Sequence, residues 1–294
     1  MDQHSQSKPL VELRDIRKTF GAVSALRGVS IDVMPGETFA LLGDNAAGKS
    51  TLMKILTGVY QPDEGSIALD GERVEFATPA ASRQLGIEMV YQDFALADNL
   101  DVRSNIFLGR EPQKSILGPL LRVVDRKRME AETKRVLERL DIPIPPRLKV
   151  KRLSGGQRQA VAIGRALAFD ARLIIMDEPT ANLSVAKVDK LIEVTQRLKD
   201  LGIAVIIITH RLDEAFAVAD RFAVMRQGEV VGRFKVGEIT ETQVAHLISQ
   251  GTLEGAPHGT AAIPEERRKI GSTTSSIPAI DVDALGRPIA KDVK

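Results

Sequence analysis

The sequence contains no cysteine, no long hydrophobic run and almost no net charge. Without cysteine the chain cannot form disulfides, thiolate metal sites or a cysteine nucleophile, and this composition fits a reducing compartment. The longest apolar runs, such as residues 203–208, are far shorter than the roughly 20 residues that a membrane-spanning helix needs. We therefore expect a chain that does not cross a membrane by itself.

The charge balance argues against a polyanion as the partner. The chain has 41 lysines and arginines against 39 aspartates and glutamates, so its formal net charge is +2. Such a small imbalance does not build a basic surface, and we expect no nucleic acid partner. Residues 1–10 also lack the basic start and apolar core of a secretory signal, which predicts a soluble cytoplasmic protein.

Hydrophobic patterning predicts an α/β fold. Residues 10–33 alternate apolar and polar side chains around a glycine turn, as paired antiparallel strands do. Apolar strands over residues 173–176 and 204–209, with a helix near residues 187–201 between them, are typical of a buried parallel sheet. A charged helix with one apolar stripe is predicted over residues 125–141.

Chain length and composition indicate the domain organisation. At 294 residues, 43% of them hydrophobic, the chain is long enough for one large or two modest globular domains. After about residue 250 the composition turns to glycine, alanine, proline, serine and threonine, which favours a flexible tail. We predict an N-terminal segment of residues 1–9, a globular domain of residues 10–250 and a flexible tail of residues 251–294.

A glycine-rich loop between a predicted strand and a predicted helix is the first motif that carries chemistry. Its residues match the pattern G-x-x-x-x-G-K-[ST]. In such a loop backbone N–H groups surround phosphates, the lysine reaches the outer phosphates and the hydroxyl ligates Mg²⁺. The alternative is a glycine turn before a helix with a surface lysine. The candidate phosphate-binding residues are Gly43, Asp44, Asn45, Ala46, Ala47, Gly48, Lys49, Ser50 and Thr51.

A pair of carboxylates follows a second apolar strand. Asp177 and Glu178 stand at the carboxyl end of the strand in the stretch RLIIMDEPT. From that position Asp177 can reach Mg²⁺ at the phosphate loop, and Glu178 can polarise an attacking water. Taken alone, the pair is more typical of an acidic turn after a core strand.

The stretch LSGGQRQAVAIGRAL, residues 153–167, resembles the signature of the ATP-binding cassette family of transporter ATPases. The resemblance implies that this segment caps a helix whose positive end closes over the γ-phosphate of ATP held by a second protomer. Ser154 also fits a helix cap, and the two glycines allow backbone donors to approach an anion. The matching residues are Ser154, Gly155, Gly156 and Gln157.

The same resemblance supplies the fold and the remaining site residues over residues 10–250. It implies an α/β fold with a P-loop NTPase core around a parallel sheet, an antiparallel β subdomain and a helical signature subdomain at about residues 93–165. It implies that Phe20 stacks on adenine, that Gln92 contacts Mg²⁺ and water, and that His210 contacts the γ-phosphate. The catalytic set is then Glu178, His210, Gln92 and Lys49, and the metal set is Ser50, Gln92 and Asp177.

Two positions depart from the family pattern. Ala46 stands where the family usually has glycine, and a positive φ there would cost alanine roughly 1–2 kcal/mol. We nevertheless expect ATP to bind, because the lysine, the hydroxyl and the last glycine are present. Ser184 ends the segment ANLS where the family usually has aspartate, which affects the expected communication between the two ATP sites.

The run over residues 91–111, YQDFALADNLDVRSNIFLGRE, is similar to the simple-sugar importers of that family. This resemblance implies an ATP-hydrolysing motor subunit that pairs with a second cassette, drives an integral membrane permease and depends indirectly on a periplasmic sugar-binding protein. The expected cofactors are ATP and Mg²⁺, and the expected place is the cytoplasmic face of the inner membrane. The alternatives are an exporter ATPase, a soluble cassette that acts on nucleic acid or ribosomes, and a regulatory nucleotide-binding module.

Overall fold

The computed structural model describes residues 8–91, 93–116, 122–179 and 188–255. Three features of the sequence lie outside these described residues. They are Gln92, the segment 181–184 with Ser184, and the predicted tail beyond residue 255. None of the helices within the described ranges is long and apolar enough to cross a membrane.

Strands and helices are interspersed along the described part of the chain, and several strands follow one another directly. The strands are β1 (Val11–Phe20), β2 (Val23–Val33), β3 (Thr38–Gly43), β4 (Glu64–Leu69), β5 (Glu72–Val74), β6 (Ile87–Val90), β7 (Gln113–Ser115), β8 (Arg122–Val124), β9 (Leu173–Asp177), β10 (Ala204–Thr209), β11 (Arg221–Arg226) and β12 (Glu229–Lys235). The helices are α1 (Lys49–Leu56), α2 (Pro79–Gln84), α3 (Val102–Ile106), α4 (Arg126–Arg139), α5 (Gly155–Leu167), α6 (Val188–Asp200), α7 (Leu212–Val218) and α8 (Glu241–Gln250).

The larger sheet confirms the predicted α/β fold with its parallel core. Its six strands lie in the order β12-β11-β3-β10-β9-β6, and all neighbours are parallel except the hairpin β11–β12. The two apolar strands predicted over residues 173–176 and 204–209 are β9 and β10, with helix α6 between them in the chain. They pair directly, for example Ile207 with Met176.

A smaller sheet is antiparallel, as predicted from residues 10–33. Its order is β2-β1-β4-β5, and β1 pairs with β2 over most of their lengths. β1 and β2 bury alternate side chains, such as Leu13, Val29 and Ile31, against the core. This alternation is expected where one face of a sheet is covered and the other is solvated.

The hydrophobic core explains why β3, β9 and β10 consist almost wholly of apolar residues. Successive side chains of a strand point to opposite faces of the sheet, and in this protein both faces are covered. Ile206 and Ile208 of β10 pack toward β1, β2 and α1, whereas Val205 and Ile207 pack toward α5 and α6. The polar residues of these strands, Thr38, Asp177 and Thr209, stand at the strand ends.

The helices α3, α4 and α5 pack together in one cluster, and α4 and α5 also pack against the larger sheet. Helix α4 confirms the helix predicted over residues 125–141, and the Asp125 side chain caps it by accepting a hydrogen bond from the backbone N–H of Arg128 at 3.1 Å. Its apolar stripe, which includes Met129 and Leu137, is buried. Ile106 and Phe107 from the end of α3 pack on the same cluster, together with Val161 of α5.

Candidate functional site

The site begins at the carboxyl ends of three neighbouring parallel strands. β10 lies between β3 and β9, so the residues that follow all three strands meet at one edge of the sheet. The phosphate loop follows β3, Asp177 and Glu178 stand at the end of β9, and His210 follows β10. Open α/β sheets generally bind ligands at this edge.

The first and last glycines of the phosphate loop are required by backbone geometry. Gly43 has φ +148°, and a Cβ on it would lie 2.2 Å from the backbone oxygen of Met225. Gly48 has φ +100° at the start of α1, and a Cβ on it would lie 2.8 Å from the backbone oxygen of Ala25. Neither position can hold a side chain unless neighbouring backbone moves, so the loop forms a narrow cradle that suits phosphate groups.

Ala46 adopts the conformation that makes its departure from glycine costly. Its φ is +66°, in the left-handed region. The strain foreseen for a positive φ at this residue therefore applies, at roughly 1–2 kcal/mol. The loop keeps its course in spite of this, since the N–H of Ala47 donates to Asp44 O at 3.1 Å and the carbonyl of Ala47 accepts from Gly228 N at 3.1 Å.

Lys49 lies at the first position of α1 with its ammonium turned back onto the loop. Its Nζ donates to the backbone oxygens of Gly43 at 2.6 Å and Asp44 at 2.9 Å. Burial lowers the pKa of Lys49, against the opposing charges of Glu178, Asp44 and Asp177. From this position the lysine ammonium can form charge-assisted hydrogen bonds with the outer phosphates of a nucleotide.

Asp177 and Ser50 supply the oxygen donors of the cleft. Burial raises the pKa of Asp177, and the charge of Glu178 adds to that effect, while Lys49 and Lys54 oppose it. Within residues 8–91, 93–116, 122–179 and 188–255, no group of three or more histidine, cysteine and carboxylate side chains could hold a metal ion. One carboxylate and one hydroxyl beside a phosphate cradle fit Mg²⁺, which is usually held by few protein oxygens plus substrate phosphates.

Glu178 and His210 are in direct contact. Nδ1 of His210 lies 2.8 Å from Oε1 of Glu178, so the ring N–H donates to the carboxylate. Glu178 has φ +47°, and its backbone N–H donates to the oxygen of Ile208 at 2.9 Å. The contact therefore joins the ends of β9 and β10 at the cleft.

The cleft contains residues that no motif indicates. It has a volume of about 610 Å³, and its lining includes residues 44–51 of the phosphate loop, Asp177 and Glu178, but neither Gly43 nor His210. Six lining residues were not predicted as site residues from the sequence: Val23, Ser24, Ala25, Arg27, Ile208 and Gln227. Gln227 precedes a glycine in the turn between β11 and β12, and the alternating run RFAVMRQGEVVGRF could have predicted that hairpin.

Other predicted site residues lie outside the lining of this cleft. Phe20 ends β1, is 42% exposed and contacts the ring of Tyr60 edge-on, with 5.2 Å between the centroids. Ser154 and Gln157 form a capping box at the start of α5, in which the backbone N–H of each is bonded by the side chain of the other. Gly155 and Gly156 begin α5 and also lie outside the cleft lining of their own chain.

Comparison with known proteins identifies one family and two similar import ATP-binding proteins. A family model described as ABC transporter matches residues 26–181, which is more than half of the chain. The xylose/arabinose import ATP-binding protein XylG of Sulfolobus acidocaldarius is 46% identical over 250 residues, covering 83% of this chain and 97% of that protein. The ribose import ATP-binding protein RbsA 3 of Rubrobacter xylanophilus is 45% identical over 241 residues, covering 82% of this chain and 48% of that protein.

The chain thus spans nearly all of the first relative and about half the length of the second. Among solved structures the fold is similar to the ADP conformation of MJ1267, an ATP-binding cassette of an ABC transporter. The TM-score is 0.70 and the identity 28%, over 84% of this chain and 97% of that one.

Proposed function

The chain belongs to the ABC transporter family, and from that premise we propose that it binds and hydrolyses ATP to drive the import of a monosaccharide. The observation that carries the proposal is the convergence of the phosphate loop, Asp177, Glu178 and His210 at one edge of the larger sheet. Each group has a chemical role in phosphoryl transfer to water.

Binding of ATP is assigned to the phosphate loop. The residues from Gly43 to Thr51 surround the phosphates with backbone N–H groups, and Lys49 moves its ammonium from the loop carbonyls to the outer phosphate oxygens. Phe20 holds the adenine by stacking, since its ring is exposed at the end of β1. Ser50, Asp177 and Gln92 would hold Mg²⁺, which would neutralise charge on the phosphate oxygens.

Hydrolysis is assigned to Glu178 and His210. The Glu178 carboxylate orients the attacking water, and its contact with His210 fixes it in place. His210 in turn contacts the γ-phosphate. The left-handed backbone of Glu178 supports a functional role, because strained residues cluster at active sites.

A second cassette completes the site. Ser154, Gly155, Gly156 and Gln157 stand at the positive end of a 13-residue helix, outside the cleft of their own chain. We infer that they close over the γ-phosphate held by a second copy, so that two chains enclose two nucleotides. Closure and reopening of that pair would move the permease.

The proposed cargo is a monosaccharide because the relatives named above are ATP-binding proteins for the import of xylose, arabinose and ribose. The chain would then lie against a membrane permease at the cytoplasmic face, and a periplasmic sugar-binding protein would deliver the cargo. A groove of about 290 Å³ between β6 and α5 presents Tyr91 and Leu108, 46% and 47% exposed, and suits a permease segment.

The test is purification of the chain from native membranes in mild detergent, followed by mass spectrometry of the proteins that co-elute. We expect a multi-span permease in the complex and an ATPase activity that responds to one of a panel of monosaccharides. The variant Glu178→Gln should bind ATP and lack this activity. A chain that co-elutes with ribosomal or repair proteins, or an ATPase that no sugar affects, would contradict the importer.

A further inference from the structure

Glu214 is a buried carboxylate with no direct role in the proposed hydrolysis. It lies in the first turn of α7, has 0% of its surface exposed and is outside the lining of the nucleotide cleft. Burial raises the pKa of Glu214, against the lowering effects of Arg211 and Thr209. Burying a charged group costs free energy unless its partners compensate. The residues that Glu214 contacts therefore indicate which part of the structure it stabilises.

Both oxygens of Glu214 contact the turn that carries His210. Oγ1 of Thr209 lies 3.2 Å from Oε2 of Glu214, and the same hydroxyl accepts a hydrogen bond from the N–H of Arg211 at 3.0 Å. The hydroxyl of Thr209 therefore uses its proton to donate to Glu214. Nη1 of Arg211 lies 2.9 Å from Oε1 of Glu214, as an ion pair without the alignment of a hydrogen bond.

These contacts fix the residues on both sides of His210. Thr209 is fully buried at the end of β10. Arg211 is the residue immediately before α7, and its side chain does not cap that helix. The His210 ring itself is mostly exposed, and its Nδ1 contacts Oε1 of Glu178 at 2.8 Å. Because both chain neighbours of His210 are bound to one buried carboxylate, the backbone at His210 has little freedom to turn its ring away.

We propose that Glu214 is a positioning residue, which acts through Thr209 and Arg211 to hold His210 in the orientation that meets Glu178. This inference rests on the proposed ATPase function, in which His210 and Glu178 act at the γ-phosphate. A displacement of about 1 Å near a reacting centre can lower a rate on the order of 100-fold. Because Glu214 acts through His210 and not through the phosphate loop that binds ATP, its effect falls mainly on kcat, with little change in the Kd for ATP.

The first test uses three variants of one turn. Thr209→Val removes the bridging hydroxyl and keeps the shape, whereas Thr209→Ser keeps the hydroxyl. Asp213→Asn is the matched control, because Asp213 pairs with Arg211 at 2.6 Å on the exposed side of the same turn. We expect T209V to lower kcat by roughly 10- to 100-fold, with a Kd for ATP within about twofold of wild type. T209S should restore most of kcat, and D213N should retain it.

The second test observes the protonation of the His210 ring directly and needs no activity assay. Nitrogen NMR of the histidine side chains resolves the tautomers, and the signals of His210 among the 4 histidines are assigned with the variant His210→Ala. In the wild-type chain Nδ1 of His210 should carry the proton that it donates to Glu178. T209V should lose this preference and D213N should keep it. Unchanged His210 signals in folded T209V, or an unchanged kcat, would overturn the proposal.

Urea unfolding shows which variants are folded. If T209V does not fold, Glu214→Gln is tested in its place, because glutamine keeps the shape of glutamate but weakens the pairing with Arg211. Glu214→Gln should then lower kcat and change the His210 signals as expected for T209V. Lower stability with constant kcat and constant His210 signals would mean a purely structural role, and would also overturn the proposal. A wild-type chain without ATPase activity contradicts the proposed function instead, while the NMR comparison still tests how His210 is held.

Discussion

Ala46 stores strain in the phosphate loop, and glycine would release it. The left-handed conformation costs alanine roughly 1–2 kcal/mol in the folded state. Glycine removes this strain, but its greater backbone freedom stabilises the unfolded chain by about 0.4–1 kcal/mol. We therefore expect Ala46→Gly to raise the free energy of unfolding by up to about 1.6 kcal/mol, measured by urea denaturation without nucleotide.

The neighbouring alanine provides the control for that substitution. Ala47 is buried and is not among the positive-φ residues, so glycine there relieves no strain and removes a packed methyl group. Ala47→Gly should lower the free energy of unfolding. If both variants lost stability equally, the strain assigned to Ala46 would be wrong.

Asp177 predicts a dependence of stability on pH. Burial and the charge of Glu178 raise its pKa above the ordinary 3.8, so the folded state holds the proton more tightly than the unfolded chain. That contribution to stability is present below the ordinary pKa and is lost as pH rises through the raised one. The free energy of unfolding of Asp177→Asn, relative to wild type, should therefore increase over this window in urea titrations without Mg²⁺.

Asp213 should show the opposite sign. Its hydrogen bond with Arg211 lowers its pKa below the ordinary 3.8, so its contribution is present above 3.8 and is lost as pH falls through the lowered value. Relative to wild type, Asp213→Asn should lose stability as pH rises through that window. Slopes of the same sign for the two variants would contradict these assignments.

Individual motifs predicted most of the residues that line the candidate cleft, because each motif carries its own chemistry in a short stretch of chain. Lys49, Ser50 and Asp177 belong to such stretches, and the structure places all three at one cleft. Arg27 and Gln227 could not be predicted in this way, since they reach the cleft through the packing of β2 and the β11–β12 turn. Their contribution exists only after strands distant in sequence have paired.

At the scale of elements, the pattern of burial decided what could be predicted. β3, β9 and β10 are buried on both faces, so continuous apolar runs indicate them. Short strands such as β5 and β7 are mostly exposed and show no such run. Their existence depends on pairing with β4 and β8, which local sequence does not specify.

Helices α5 and α8 allow structural and functional effects of a cap to be separated. Both begin with a capping box, formed by Ser154 with Gln157 and by Thr240 with Gln243. Ser154→Ala and Thr240→Ala should each cost about 1 kcal/mol of stability, because each leaves a helix N–H without its partner. Only Ser154→Ala should also lower ATPase activity, because we propose that Ser154 faces the nucleotide of a second copy.

Measurement of unfolding free energy and ATP turnover on the same preparations provides this comparison. Equal losses of turnover in the two variants would show that the effect of Ser154 is one of helix stability alone. An unchanged stability in both variants would instead mean that the caps are not formed in solution.

At the scale of the whole molecule, the proposed site predicts assembly. Glu178→Gln should bind ATP without consuming it, so ATP should convert the variant from monomers to dimers in sedimentation experiments. Lys49→Ala in the same background should abolish the conversion, because the lysine contacts the phosphates. A Glu178→Gln chain that binds ATP and stays monomeric at every concentration would contradict a site completed by two copies.

The hairpin β11–β12 supports the phosphate loop from a distant part of the chain. Met225 pairs with Gly43 in the sheet, and Gly228 bonds to Ala47 and Arg27 through its N–H and its carbonyl. A fragment that ended just after His210 would contain every recognisable motif and yet lack the strand and the turn that hold the loop. The stretch that contains the motifs is therefore shorter than the stretch that the fold requires. A truncation chosen from the motifs alone would keep every motif but lose the strand and turn that support the phosphate loop.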